Sequence, residues 1–132
     1  ANVLAKVLSA AGIEPEGLGH IHAHGLATRQ SDIDEAHAIR DVLGDRATKV
    51  PVTTAKGHFG NLGAGSGLVE LIGSMMAMGS GNLFSVRNLE TVDPECPVRA
   101  ISEGGVPAGS CFVNLSVTPQ GQASAVLVRQ YS

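Results

Sequence analysis

Aromatic side chains are scarce in this chain: no tryptophan, one tyrosine and three phenylalanines. A single-stranded nucleic acid would find no stacking platform here. Basic residues are not in excess either. Nine Lys and Arg against twelve Asp and Glu leave a net charge of −3, with a pI near 5.9, which gives no electrostatic footprint for a phosphate backbone. Cysteine occurs twice, as Cys96 and Cys111, and never as CxxC. Two thiols make no disulfide framework, so a reducing, cytoplasmic setting is expected. Long hydrophobic runs are missing too. The nearest candidate, residues 62–79, is broken by glycines, serines and Glu70, whereas a membrane-spanning helix needs roughly 18–20 apolar residues in a row. No membrane association is expected. The opening stretch "ANVLAKVLSAAGIEP" lacks the basic-then-apolar order of a secretory signal, and with no initial Met a processed or excised piece is expected.

What is present is enough for one domain with a core: 132 residues, 43% hydrophobic and 16% charged, with 17 glycines that cluster. Val3, Leu4, Val7, Leu8 and Ala11 recur at helical spacing in "NVLAKVLSAAGI", with Gly12 as its stop. "LGHIHAHG" reads as a short strand ending at Gly25. "SDIDEAHAIRDVLG" reads as a helix capped by Ser31, with Asp32, Asp34 and Glu35 favouring its first turn and Gly44 ending it. "KVPVTTA" reads as a second strand, "KGHFGNLGAGSG" as a glycine-rich loop, and "LVELIGSMMAMG" as a helix buried on most sides. "NLFSVRNLETVDPECPVR" is irregular. "SCFVNLSV" and "QASAVLVRQY" are strands joined by "TPQG" into a C-terminal hairpin. The alternation predicts an α/β fold, a layered mixed sheet packed by helices.

Three places could hold chemistry. His20, His22 and His24 in "HIHAHG" would share one face of a strand, and His24 would sit at its carboxyl end, where α/β sheets gather ligands. Asp32 and Glu35 open an acidic helix. The loop from Lys56 to Gly67 allows close backbone approach, and the helix after it could offer N–H groups to an oxyanion. Each has an ordinary explanation as well: a hydrogen-bonding strand histidine, a helix-dipole effect, close packing of a helix. Three strand histidines would also suit a metal, although no acidic residue adjacent in sequence completes a site.

Taken together, "AHGLATRQSDIDEAHAI" and "VPVTTAKGHFGNLGAGSGLVELIGSMMAM" resemble the C-terminal half of β-ketoacyl synthases, the condensing enzymes of fatty-acid and polyketide synthesis. The family pattern runs A-H-G-T-x-T, N-D-x-x-E, then K-S-x-x-G-H-x-x-G-A-A-G with a Glu three residues further on. His24, Gly25 and Thr28 match the first motif, Asp32 and Glu35 the second, and Lys56, Gly60, Gly67 and Glu70 the third. "NLETVDPECPVR" resembles the family's N-L-x-x-x-D-P-E-C segment, and Asn114 lies on the strand before the last turn. The resemblance covers residues 1 to about 131.

The resemblance implies the C-terminal half of a thiolase-like fold over residues 1–132, with the nucleophilic cysteine on an N-terminal half that these residues do not include. It implies acyl carrier protein as partner, the missing N-terminal half as a second one, a homo- or heterodimer, and no cofactor. The reaction it implies is decarboxylative Claisen condensation of a malonyl thioester with an acyl thioester, for which this piece alone should be inactive. His24 would donate from Nε2 to the enolate oxygen. Lys56 would sit in a charged network with Glu35 or Glu70 as its carboxylate partner, Glu35 organising rather than carrying protons. Asp32, Glu70, Thr28 and Gly60 would support the site.

Two departures matter. The family's second histidine falls on Asn61, which implies either a Cys-His-Asn enzyme, since an amide N–H also donates, or a non-catalytic partner of the chain-length-factor kind. The family's G-F-G-G loop, whose Phe gates the acyl entrance, is replaced by "SVTPQGQ". A metal-binding α/β module remains a third reading. His37 and His58 are expected on the surface or in loops, neither Cys96 nor Cys111 matches the nucleophile, and an exposed apolar face and a dimer or higher assembly are expected of the isolated domain.

Overall fold

The computed structural model describes residues 1–131; Ser132, the end of the expected domain, lies outside the described residues. Among the described residues the α-helices and β-strands follow one another as α1 (Asn2–Ala11), β1 (His20–His22), α2 (Arg29–Leu43), β2 (Pro51–Thr53), α3 (Lys56–Phe59), α4 (Ser66–Ser80), β3 (Arg99–Ala100), β4 (Cys111–Val117) and β5 (Ala123–Arg129), with short 3-10 turns between some of them. The strands form one mixed sheet in the order β3-β2-β1-β4-β5. β1 is parallel to both β2 and β4, and β2 to β3. β4 and β5 pair antiparallel as the expected hairpin, from Cys111 opposite Arg129 to Val117 opposite Ala123. No helix among the described residues is long and apolar enough to cross a membrane.

Alternation along the strands sorts side chains onto two faces. Ile21, Val52, Cys111, Val113 and Leu115 pack with Leu4 and Leu8 of α1 and Ile39 and Leu43 of α2. Burying each large aliphatic of this set is worth about 1.5–3 kcal/mol. The opposite face carries His20, His22 and Phe112, and α4 crosses it. The architecture is therefore helix, sheet, helix. α1 ends where Gly12 turns left-handed (φ 64°) and its N–H reaches Leu8 O and Ser9 O.

Several expectations are corrected. The strand expected over 18–25 is regular only at His20–His22, so His24 lies beyond it rather than on its face. α2 begins at Arg29 with Thr28 as N-cap and no side-chain cap; Ser31 sits inside the first turn and donates back to Thr28 O at 3.1 Å. Lys56–Phe59 forms a helical turn within the expected loop, and Arg99–Ala100 forms a strand at the end of the irregular stretch. α4 is not buried on most sides. Its buried residues are Ser66, Glu70, Ser74 and Ala77, while Leu68, Ile72, Met75 and Met76 are 48–70% exposed. The helix meets the sheet along its small and polar stripe, and no described element covers the other side.

Candidate active site

The carboxyl end of β1 is built around His24. Gly25 follows with φ 54°, and a Cβ there would fall 2.4 Å from Thr54 Oγ1, so only glycine lets the chain turn so close to β2. Ala27, with φ 64°, continues the strained turn. Glu35 reaches back from α2 and fixes this turn: Oε1 accepts the His24 N–H at 2.6 Å and Oε2 the Gly25 N–H at 3.0 Å. From the other side Lys56 Nζ donates to His24 O at 2.6 Å and to Glu70 Oε1. The carboxylate partner of Lys56 is thus Glu70, fully buried on α4. Glu35 acts on the backbone of the His24 turn. Lys56 on α3, Glu70 on α4 and the His24 carbonyl just past β1 meet at one ammonium.

Burial sets the electrostatics. It pushes the Glu35, Asp32 and Glu70 carboxyls above their usual range, while hydrogen bonds from the His24 and Gly25 N–H groups pull Glu35 back and Lys56 does the same for Glu70. Burial, and then the Lys56 ammonium, hold His24 below the usual imidazole value, so His24 is neutral at pH 7. Its Nδ1 is buried with no partner. A proton there would lack an acceptor, so the neutral ring carries its proton on Nε2.

Asn61 follows Gly60, which closes α3 with φ 80°. Asn61 and His24 line one cavity of about 720 Å³, together with Leu26, Leu115 and the hairpin turn at Pro119 and Gln120. Asn61 Oδ1 accepts the Gly63 N–H at 3.0 Å and the Ser66 hydroxyl at 3.1 Å. Asp32 lies in the first turn of α2, beside Thr28, whose Oγ1 pairs with Ser31 Oγ. Asn114 on β4 donates to Gly67 O at 3.1 Å and holds the start of α4.

His20 and His22 are fully buried and serve a different purpose. Ala108 O can only accept, so His20 Nδ1 donates to it, at 2.7 Å. The Ala55 N–H donates to His22 Nε2 at 3.2 Å, so a neutral His22 carries its proton on Nδ1 and donates to Ser74 Oγ at 2.7 Å. Ser74 then donates to His20 Nε2 at 3.1 Å. Burial, followed by the neighbouring His20 and Lys56, pushes His22 down to about 3, and burial lowers His20. Every polar atom of this chain of bonds has a partner, and the metal reading finds no group of three ligands among the described residues. Ser66 and Ser74 escaped notice in the sequence. Their signal was there: Ser66, Glu70 and Ser74 recur every four residues in an otherwise apolar helix.

His58 donates to or accepts nothing near His24; its Nε2 meets Ser85 O at 2.9 Å, and the exposed His37 meets Glu95 O at 3.0 Å. Both cysteines are free. Burial raises the Cys111 thiol, and burial with Asp93, Asp32 and Glu95 raises Cys96, so neither is an activated thiolate.

With this geometry in view, the family model described as "Beta-ketoacyl synthase, C-terminal domain" matches residues 1–90. The chain belongs to this family. It is 37% identical over 93 residues to the 3-oxoacyl-[acyl-carrier-protein] synthase 2 of Synechocystis sp., covering 70% of this chain and 22% of that protein. Among solved structures, the complex of a type II PKS acyl-carrier protein with its ketosynthase superposes with a TM-score of 0.92 at 28% identity, over 98% of this chain and 32% of that one. The ishigamide ketosynthase/chain length factor gives 0.88 at 25% identity, over 95% and 31%. The chain thus spans about a fifth of the curated relative's length, and its fold is the C-terminal part of a thiolase-like ketosynthase domain.

Proposed function

We propose that these residues form the decarboxylation side of a 3-oxoacyl-acyl carrier protein synthase site, of the Cys-His-Asn type, with the nucleophilic cysteine supplied by protein outside the 132 residues. The observation that carries this reading is that His24, whose buried Nδ1 has no partner, and Asn61 line one cavity. The acyl chain sits on the cysteine. When the malonyl thioester loses CO2, the electrons of the broken C–C bond move to the thioester oxygen as an enolate. His24 Nε2–H and Asn61 Nδ2–H donate to that oxygen, and donors placed before the charge develops are worth most. The enolate carbon then attacks the acyl carbonyl and the cysteine thiolate leaves. Glu35 and Lys56 hold the His24 backbone, and Glu70 holds Lys56; Asp32, Thr28 and Gly60 shape the turns that carry them. Acyl carrier protein delivers both thioesters, and the synthase works as a homo- or heterodimer in the cytoplasm.

The test is CO2 release from malonyl-acyl carrier protein by the full-length parent protein. His24→Ala and Asn61→Ala should each cut the rate by about 10²–10³, the usual loss for one oxyanion donor. Asn61→Asp keeps the acceptor oxygen but replaces the donor with an anion, so it should be at least as damaging. A wild-type parent that folds but releases no CO2 would favour the second reading, a non-catalytic partner of a catalytic ketosynthase. The asparagine at the second histidine position and the likeness to a ketosynthase/chain length factor structure support that alternative.

A further inference from the structure

Asn61 lies in the exposed run 61–65, where a side chain ordinarily rotates freely. Ser66, the next residue, is 3% exposed. Its hydroxyl accepts the Leu62 N–H at 2.7 Å, so its single proton is free to go to Asn61 Oδ1 at 3.1 Å. Gly63 N–H donates to the same atom. Both neighbours are donors, which fixes the amide: the oxygen faces Ser66 and Gly63, and a reversed amide would set its NH2 against an O–H and an N–H. Nδ2 has no hydrogen-bond partner among the described residues and is left for the cavity. Ser66 is itself a fixed post. Gly67 beside it is tied through its carbonyl to Asn114, and a Cβ at Gly67 would lie 3.0 Å from Ser116 Oγ, so the first turn of α4 sits hard against β4. Counted along the family pattern, Asn61 takes the place of the second histidine and Ser66 the place of an alanine. The two departures touch each other.

We propose that Ser66 is the positioning residue that orients the Asn61 amide with its N–H2 toward the cavity, so that the two substitutions work as one unit; its catalytic meaning rests on the Cys-His-Asn reading above. In the full-length parent with its acyl carrier protein, Ser66→Ala should lower kcat for CO2 release about tenfold with KM little changed, the mark of an interaction made only in the transition state. In an Asn61→Ala background the same change should cost nothing further, because the group it orients is gone. An equal loss in both backgrounds overturns the proposal. Crystal structures of the parent and of its Ser66→Ala variant give a readout independent of activity. Asn61 should turn or split into several conformers in the variant, and an unmoved amide overturns the proposal whether or not the parent is active. A parent that releases no CO2 while Asn61 still turns in the variant would remove the reaction but leave the orienting role.

Discussion

At the residue scale the site depends on carboxylates and imidazoles that need not touch substrate. Glu35 spends both oxygens on backbone N–H groups of the turn that presents His24. Glu35→Gln replaces one acceptor with an NH2 and leaves one of those N–H groups unpaired, a loss of about 1–3 kcal/mol. Urea midpoints should fall accordingly, and under the proposed reaction CO2 release by the full-length parent should fall further than the midpoint explains, because the turn that presents His24 is loosened. An unchanged midpoint would mean the turn holds itself. His22 carries a pH prediction. Its folded value is about 3, against an ordinary unfolded imidazole near 6.5, so between these values the unfolded chain binds a proton that the folded one refuses. Stability from this group is complete above pH ~6.5 and is lost as pH falls, at about 1.4 kcal/mol per pH unit. Replacing His22 with Gln removes that slope. The stability advantage of wild type over His22→Gln should therefore shrink from pH 7.5 to pH 4, and parallel denaturation profiles would show that His22 titrates normally.

At the element scale α4 is turned over relative to a soluble amphipathic helix. Its polar stripe of Ser66, Glu70 and Ser74 is buried against the sheet, and each of the three orders something else: the Asn61 amide, the Lys56 ammonium, and His22 with His20. Ser74→Ala removes little volume but orphans the His22 Nδ1–H and the His20 Nε2, each costing about 1–3 kcal/mol when buried. Its melting temperature should drop by several degrees, whereas Ser9→Ala on the exposed side of α1 should stay within about 0.5 kcal/mol of wild type. Similar effects of the two would mean the histidine pair is not held by Ser74. The same element shows what was legible in the sequence. Local spacing gave α1, α2 and the hairpin, because those rest on neighbours in the chain. It could not give the direction of α4, since apolar periodicity marks a face without saying which body covers it. Nor could it explain "HIHAHG": the partners that make His20 and His22 neutral core residues lie 33 to 88 residues away. Gly25, Lys56 and Glu70 were readable through the family pattern, but the choice of Glu70 over Glu35 for Lys56 needed the fold.

At the scale of the whole molecule, α1 and α2 cover one face of the sheet, and α4 crosses the other with its apolar side outward. Leu68, Ile72, Met75 and Met76 lie together along that side, at positions four or fewer residues apart on a helix, so they form one continuous surface. An apolar surface of this kind on a free domain tends to be buried by association. The 131 described residues, studied by themselves, should therefore run as a dimer or larger species in size-exclusion light scattering, and the assembly should weaken on dilution. Lysine at Ile72 or Met76 places a charge on the outer stripe without touching Glu70 or Ser74 on the inner one. Both variants should keep the helical content of wild type by circular dichroism while shifting to monomer. Retention of the large species by the variants would place the contact elsewhere, with the β4–β5 hairpin, where Val117 and Val126 are exposed, as the next surface to charge. A wild-type monomer at high concentration would instead mean that the stripe is too small to drive association alone, and that α4 requires a larger body than a second copy of this domain to cover it.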